Sequence, residues 1–328
     1  MAFVSLAERK AEFEKNSPKT ENAILTFKGA AVNGFDVYNC SAPFTWQGRR
    51  YMYGRVEKRH EWSRSWVRLF EETGKDEFTL AADSMVYQLE DPFAAFIEKE
   101  IVLGGTHVVY SRGKLSTYYG YFYRGADLED LRYFTTGPVY MKDIRLVQLQ
   151  NGIGIFSRPR NEEIEKQYSS GSIIGFTVIP DLDSLDEAVI ANAKMIPDLF
   201  GKGEWCGCNQ CHLLDSGLIG IIGHKSYQSE DGLAVYVNTS FVFDPVKHRI
   251  LDEKIIAVRY SYPPCPAKMP ELVDCTFTGG IVMREDGKAD LYGGLGDVAE
   301  GRVVIPYPFE GYGKIVEKHT VFMKPQEK

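Results

Sequence analysis

Several features are scarce or missing. The 328-residue chain has only six cysteines, too few for a disulfide framework at this length, so reduced thiols are expected. No apolar run approaches the roughly 18 residues that a membrane-spanning helix needs, and the opening MAFVSLAERKAEFEKNSPKT is too charged for a signal-peptide core, which makes the cytoplasm the expected location. There is no surplus of basic residues: 38 Lys and Arg face 45 Asp and Glu, for a net charge of −7. That balance argues against a general affinity for nucleic acid or anionic membrane, so any bound anion must meet a local basic cluster. Neither a G-x-G-x-x-G turn opening a helix nor a G-x-x-x-x-G-K-[ST] loop occurs, which leaves nucleotide and dinucleotide chemistry without support.

Helical periodicity is also scarce. Residues 1 to about 20 are read as a lead-in, with a turn or two of amphipathic helix around Leu6 and Phe13 before Ser17 and Pro18 end it. Beyond it, no stretch of 12 or more residues has a convincing helical pattern. What the chain has instead is glycine, 31 residues, and aromatics, 13% of the total, arranged as short Val-, Ile-, Tyr- and Phe-rich runs between turn signals. The fold class is therefore all-β.

Length alone suggests about two domains, but the strands repeat. PFTWQGRRYMYGRVE, PFAAFIEKEIVLGGTH, IRLVQLQNGIGIFSRP, HLLDSGLIGIIGH and TFTGGIVMREDGKADLYGGLGD each read as strand, turn, apolar strand and abrupt polar ending, and they start at 43, 92, 144, 212 and 276. That spacing approaches the period of about 50 residues seen in blade-type repeats. The reading is a five-bladed β-propeller over 21–328, a single catalytic domain, with a two-domain β-sandwich as the alternative. In a propeller, equivalent strand ends converge on one funnel, so the polar endings Arg55/Glu57, His107, Arg158, His224 and Asp297 form a candidate site.

Four motifs add chemistry. In Glu90-Asp91-Pro92-Phe93 the proline holds a carboxylate at a strand tip, out of the ladder, where it can act as acid or base; a plain turn-starting Asp is the alternative. Lys142-Asp143-Ile144-Arg145 and Phe156-Ser157-Arg158-Pro159 bring two guanidinium groups to one end of a hairpin, suited either to phosphate or to a structural pair with Asp143. His224-Lys225 supplies further anion donors, with a solvated turn as the alternative. Tyr292-Gly-Gly-Leu-Gly-Asp297 delivers a carboxylate on a slender strand suited to sugar hydroxyls. Cys206-Gly-Cys208-Asn-Gln-Cys211-His212 matches a haem-attachment string and the ligand number of zinc. Haem attachment normally accompanies export, the second zinc ligand pair is missing, and strand alternation would split the thiols between two faces. No metal is expected.

These motifs, in this order from about Pro43 to Phe309, resemble the five-bladed β-mannoside phosphorylases of glycoside hydrolase family 130. They resemble more closely the β-1,2-mannosyltransferase/phosphorylases of glycosyltransferase family 108. The E-D-P-R segment of the phosphorylases is matched by Glu90 to Pro92, with Phe93 in place of the Arg, a departure for which Arg145 is a candidate substitute. The resemblance implies inverting transfer of β-1,2-linked mannose between a mannoside and phosphate. Asp91 would be the catalytic acid; Arg145, Arg158 and His224 would bind phosphate; Glu57, Asp143 and Asp297 would hold the sugar. Phosphate would act as co-substrate, with no cofactor, and the partners would be a β-mannoside oligosaccharide and phosphate or mannose 1-phosphate. An inverting glycosidase and a non-catalytic carbohydrate-binding propeller are the alternatives.

Overall fold

The computed structural model describes residues 4–316 apart from 197, 198 and 200, together with the backbone of 321–322. Its strands form five sheets, arranged as the blades of a five-bladed β-propeller. From the channel outward, blade 1 holds Asp36–Tyr38 and Phe44–Trp46, both on Arg49–Glu57, then Trp66–Gly74, Glu77–Leu80 and Thr26–Lys28. Blade 2 is Glu90–Ile97, Glu100–Ser111, Lys114–Gly125 and Arg132–Thr136. Blade 3 is Arg145–Leu149, Gly152–Ser157, Gly175–Ile179 and Lys194–Met195. Blade 4 is Trp205–Leu213, Ile219–Gln228, Ala234–Asp244 and Arg249–Ala257, and blade 5 is Thr276–Met283, Ala289–Leu295, Ala299–Ile305 and Asn22–Ile24. The five repeated segments are thus the inner hairpins.

Local chemistry explains the hairpins. The connection between Phe44–Trp46 and Arg49–Glu57 is the pair Gln47 (φ 48°) and Gly48 (φ 79°), a left-handed two-residue turn whose twist matches the flanking strands. One N-terminal segment closes the ring: Asn22–Ile24 pairs antiparallel with blade 5, and Thr26–Lys28 continues in parallel onto blade 1. Both blade edges are thereby covered. Ahead of it, the lead-in helix runs over Leu6–Asn16, three turns rather than one or two, because Ser5 and Glu8 form a reciprocal capping box. Its Leu6 is buried against Val237 and Val258 of blade 4 and its edge.

The core lies in the seams between blades. Tyr53 and Phe96 fill the seam of blades 1 and 2, Phe122 and Ile155 that of 2 and 3, and Phe156 and Phe243 that of 3 and 4. Val242 and Leu291 fill the next seam, and Tyr292 and Phe70 complete the circle. The cysteine string belongs to this core. A bulge at Asn209 shifts the register of Trp205–Leu213, so Cys211 packs on the same apolar cluster as the buried Cys206 and Cys208 instead of the opposite face. Among the described residues no group of three His, Cys, Asp or Glu side chains is placed to hold a metal ion, and no helix is long and apolar enough to cross a membrane.

Candidate active site

The inner strands of blades 2 to 5 all enter the channel from the same end, and the candidate residues gather there. Three of them, Asp91 (φ 49°), Asp143 (φ 51°) and Asp297 (φ 57°), have left-handed backbone, as does their neighbour Asn39 (φ 47°). Asn and Asp tolerate that conformation best among residues with a side chain, and such strain clusters where a structure must aim a functional group. For Asp91 the turn is a bulge: Glu90 pairs with Thr106 and Phe93 with Gly104, leaving Asp91 and Pro92 outside the ladder.

Asp91 Oδ1 accepts from Arg55 Nη1 at 2.9 Å and from Asn39 Nδ2 at 3.0 Å. Its Oδ2 has no protein hydrogen-bond partner among the described residues. Arg55 is held by Ser65 Oγ at 2.7 Å and also meets Glu90 at 3.3 Å and Glu57 at 3.5 Å. Lys142 donates to Glu90 at 2.9 Å. Burial opposes ionisation of Glu90, but Arg55 and Lys142 outweigh it and bring its pKa down to about 2. Glu57 is fully buried, and its oxygens accept from Tyr38, Lys268, Ser65 and the Arg64 backbone. It therefore sits beneath Arg55 as a support, although the sequence had pointed it at the sugar. Asp297 is partly exposed and makes no hydrogen bond with the described residues. Burial, with the opposing pull of Arg55 and the like charge of Asp91, pushes its pKa up to about 6. Behind Asn39, Glu300 accepts from the Cys40 backbone at 3.0 Å, and burial pushes its pKa up to about 8.

The basic side lies across blades 3 and 4. Arg158 Nη1 pairs with Asp143 Oδ2 at 2.9 Å, with Arg145 Nη2 3.6 Å from Oδ1 and His224 Nε2 3.9 Å from Oδ2. Asp143 is therefore surrounded by the three groups expected to bind phosphate, on the basic side and not on the sugar side. Burial opposes its ionisation, yet Arg158 and Arg145 hold its pKa below the usual carboxylate range. His224 Nδ1 lies 2.8 Å from Asn209 Oδ1 and its Nε2 is buried without a partner. Burial, with Arg158 and Arg145 adding to it against Asp143, brings its pKa down to about 3. Glycine is required at 207, since a Cβ there would lie 2.6 Å from the His224 ring and 2.8 Å from Asp143 Oδ2. Arg145 lies over the Phe93 ring, 4.7 Å from its centroid, and donates to the Asn209 carbonyl at 3.0 Å. The aromatic residue that replaces the phosphorylases' Arg thus seats a guanidinium from the next blade.

The structure brings Asp91, Arg145, Arg158, His224, Asp143, Asp297 and Glu57 to one end of the channel. His107 does not join them: it stacks on Tyr121, centroids 4.4 Å apart, with Nδ1 3.0 Å from the Gln88 carbonyl. The sequence did not point to Asn39, Lys142, Lys268 or Asn209. One signal was available for Asn39, which follows an apolar inner strand residue as Asx, as Asp91 and Asp143 stand beside theirs.

Comparison with known proteins agrees with this architecture. A family model described as a protein of unknown function, DUF1861, matches residues 11–311. The chain is 50% identical to a mannose phosphorylase, MPT-4, from Leishmania mexicana, solved with a phosphate ion, covering 95% of this chain and 96% of that one with a TM-score of 0.88. It is 45% identical to MPT-1, a GDP-Man-dependent mannosyltransferase from the same organism, covering 97% and 99% with a TM-score of 0.88. A β-1,2-mannobiose phosphorylase from Listeria innocua shares the fold at 14% identity, covering 85% and 93% with a TM-score of 0.61. The comparison with curated protein sequences gave no match. The chain belongs to the DUF1861 family and, with its Leishmania relatives, to glycosyltransferase family 108, the mannosyltransferase/phosphorylase enzymes that its motifs resemble.

Proposed function

We propose that this enzyme transfers mannose, with inversion, between phosphate and a β-1,2-linked mannoside. The observation that carries this reading is the charge balance at the basic side. Two buried guanidinium groups, Arg145 and Arg158, share the single carboxylate of Asp143, and an unpartnered His224 Nε2 lies beside them. One positive charge is left for an anion, and a phosphate can take it by bidentate contact. The relative at 50% identity was solved with phosphate, which supports the same anion here. The β-1,2 linkage is supported by the family motifs and by the β-1,2-mannobiose phosphorylase of the same fold.

In the synthetic direction, mannose 1-phosphate lies with its phosphate on Arg145, Arg158 and His224, and its ring reaches toward Asp297. The acceptor hydroxyl attacks the anomeric carbon from the face opposite phosphate. Asp91, held in place by Arg55 and Asn39, takes the hydroxyl proton directly or through a sugar hydroxyl, and phosphate departs with the bonding electrons. Phosphorolysis is the reverse: Asp91 returns the proton to the glycosidic oxygen while phosphate attacks. Phosphate is already a nucleophile, so no second carboxylate is needed to activate water.

Incubation with β-1,2-mannobiose and phosphate is expected to release mannose 1-phosphate, and Asp91→Asn is expected to slow it by about a thousandfold, within the range of lost acid–base catalysis. Free mannose released without dependence on phosphate would identify a glycosidase, and transfer from GDP-mannose alone would identify a nucleotide-sugar enzyme. Activity retained in Asp91→Asn would remove Asp91 from the chemistry.

A further inference from the structure

Glu300 is a fully buried carboxyl for which the proposed reaction has no use. It stands on the third strand of blade 5 opposite Gly294 of the second, and its side chain reaches the turn at Asn39 and Cys40 that leads into blade 1. Its Oε2 accepts from the Cys40 N–H at 3.0 Å, while Oε1 is buried without a hydrogen-bond partner among the described residues. Two glycines open its path. A Cβ at Gly294 would lie 1.9 Å from Asn39 Oδ1, and one at Gly279 would lie 2.7 Å from the Cys40 carbonyl oxygen and 3.4 Å from Glu300 Oε1. Blade 5 is thus cut back where the turn presses on it, and a carboxyl meets the turn there.

The turn is the element that aims Asn39. Its φ of 47° is left-handed, a conformation that persists only where the surroundings hold it, and from it Nδ2 donates to Asp91 Oδ1 at 3.0 Å. On one side the turn is tied at Ser41, whose N–H donates to the Tyr53 carbonyl at 2.8 Å. On the other side the tie is Glu300. The titratable groups that face Glu300 are the Cys40 thiol and the Tyr262 phenol, and burial pushes both up, so neither is ionised at neutral pH. No cation acts on Glu300, and burial pushes it up to about 8. The tie is therefore a neutral acid at neutral pH.

We infer that Glu300 is a positioning residue for proton transfer at Asp91: in its neutral form it fixes, through the Cys40 backbone, the left-handed turn that presents the Asn39 amide to Asp91. The inference rests on the proposed role of Asp91 and adds to it a link that starts on blade 5. Removing the carboxyl leaves the Cys40 N–H buried without its acceptor and frees the turn to move, and a small misplacement at a reacting group slows a reaction strongly. Ionising the carboxyl puts a charge without a counter-ion against the turn, which then has to open to water.

Steady-state phosphorolysis of β-1,2-mannobiose by the full chain tests it in wild type, Glu300→Gln, Glu300→Ala, Asn39→Ala and the double variant with both alanines, each at a temperature where circular dichroism shows it folded. Glu300→Ala and Asn39→Ala are each expected to lower kcat about tenfold and to leave the KM for phosphate within about twofold, because the phosphate groups lie on the basic side. The double variant is expected to be no slower than Asn39→Ala, since both changes break one link. Glu300→Gln keeps a neutral acceptor for Cys40 and is expected to retain kcat within about twofold. The pH profile reads the same link without a destabilised variant: wild-type kcat is expected to fall about tenfold relative to Glu300→Gln at a pH of about 9 and to run parallel to it below about 7. Full kcat in Glu300→Ala, an equal loss in Glu300→Gln, additive losses in the double variant or superimposed pH profiles would each overturn the inference. Absence of mannose 1-phosphate release from wild type overturns the proposed reaction instead. The tie is then read from the melting temperatures of the same variants, where additive losses overturn it and non-additive losses support it.

Discussion

The two ends of the central channel are built from the same inner strands and differ in nearly every physical respect. At the end where these strands start lie Glu90, Asp91, Asp143, Arg145 and the residues paired with them. At the end where they finish lies a cavity of about 330 Å³ whose lining includes the apolar Phe96, Leu146, Val147 and Ile281 and which extends back to Phe93, Arg145 and Asn209 of the basic side. In blades 2 and 3 the inner strand is entered through a carboxylate with left-handed backbone, Asp91 or Asp143, and runs on into apolar residues, so one strand contributes to both ends. The charged end stores its cost in bulges, strained dihedrals and buried ion pairs, while the apolar end supplies packing that keeps the blades in register. The difference teaches which residues hold the frame and which hold the ligand.

Three substitutions break or sharpen that contrast. The largest effect is expected from Asp143→Asn, which leaves Arg145 and Arg158 buried without their shared carboxylate. Loss of one partner from a buried pair costs about 3–5 kcal/mol, and added phosphate is expected to raise the melting temperature more in the variant than in wild type, because the anion replaces the lost charge. Calorimetric melting with and without phosphate measures both; an unchanged melting temperature would show that the pair does not matter to the frame. Ile281→Ala at the opposite end is expected to cost about 2–4 kcal/mol through the cavity it leaves, with the KM for phosphate unchanged. Denaturant titration beside steady-state kinetics checks this, and a shifted phosphate KM would show that the ends are coupled. The smallest effect is expected from Phe93→Leu, which keeps apolar bulk but removes the ring under Arg145. Its loss, about 0.5–1 kcal/mol, should appear as a rise of a few-fold in the KM for phosphate with kcat retained. No change would mean that the Asn209, Ile144 and Asp91 carbonyls and the Asp143 carboxylate orient Arg145 without the ring.

The site was legible in the sequence to the extent that it sits on strand ends. Asp91, Arg158, His224 and Asp297 stand where a run of apolar alternation begins or stops, so counting along the chain brings them to one end of the channel. His107 obeys the same count but stands one residue past the partner of Glu90 on a hairpin that keeps going, where it turns against Tyr121. Cys211 was assigned to the wrong face because the bulge at Asn209 adds one residue to its strand, and alternation carries no notice of a bulge. The same bulge turns Asn209 toward His224.

The sequence by itself determined the class of fold, the number of blades and the chemistry available at their ends, because period-two alternation, turn residues and a repeat are local properties that each segment carries alone. Only the tertiary structure decided which charge meets which. Lys268 reaches Glu57 across 211 positions and Arg55 reaches Asp91 across 36, and these partners are set by closure of the ring. The burial that pushes Asp297 up to about 6 and His224 down to about 3 likewise exists only once the five blades close around these groups.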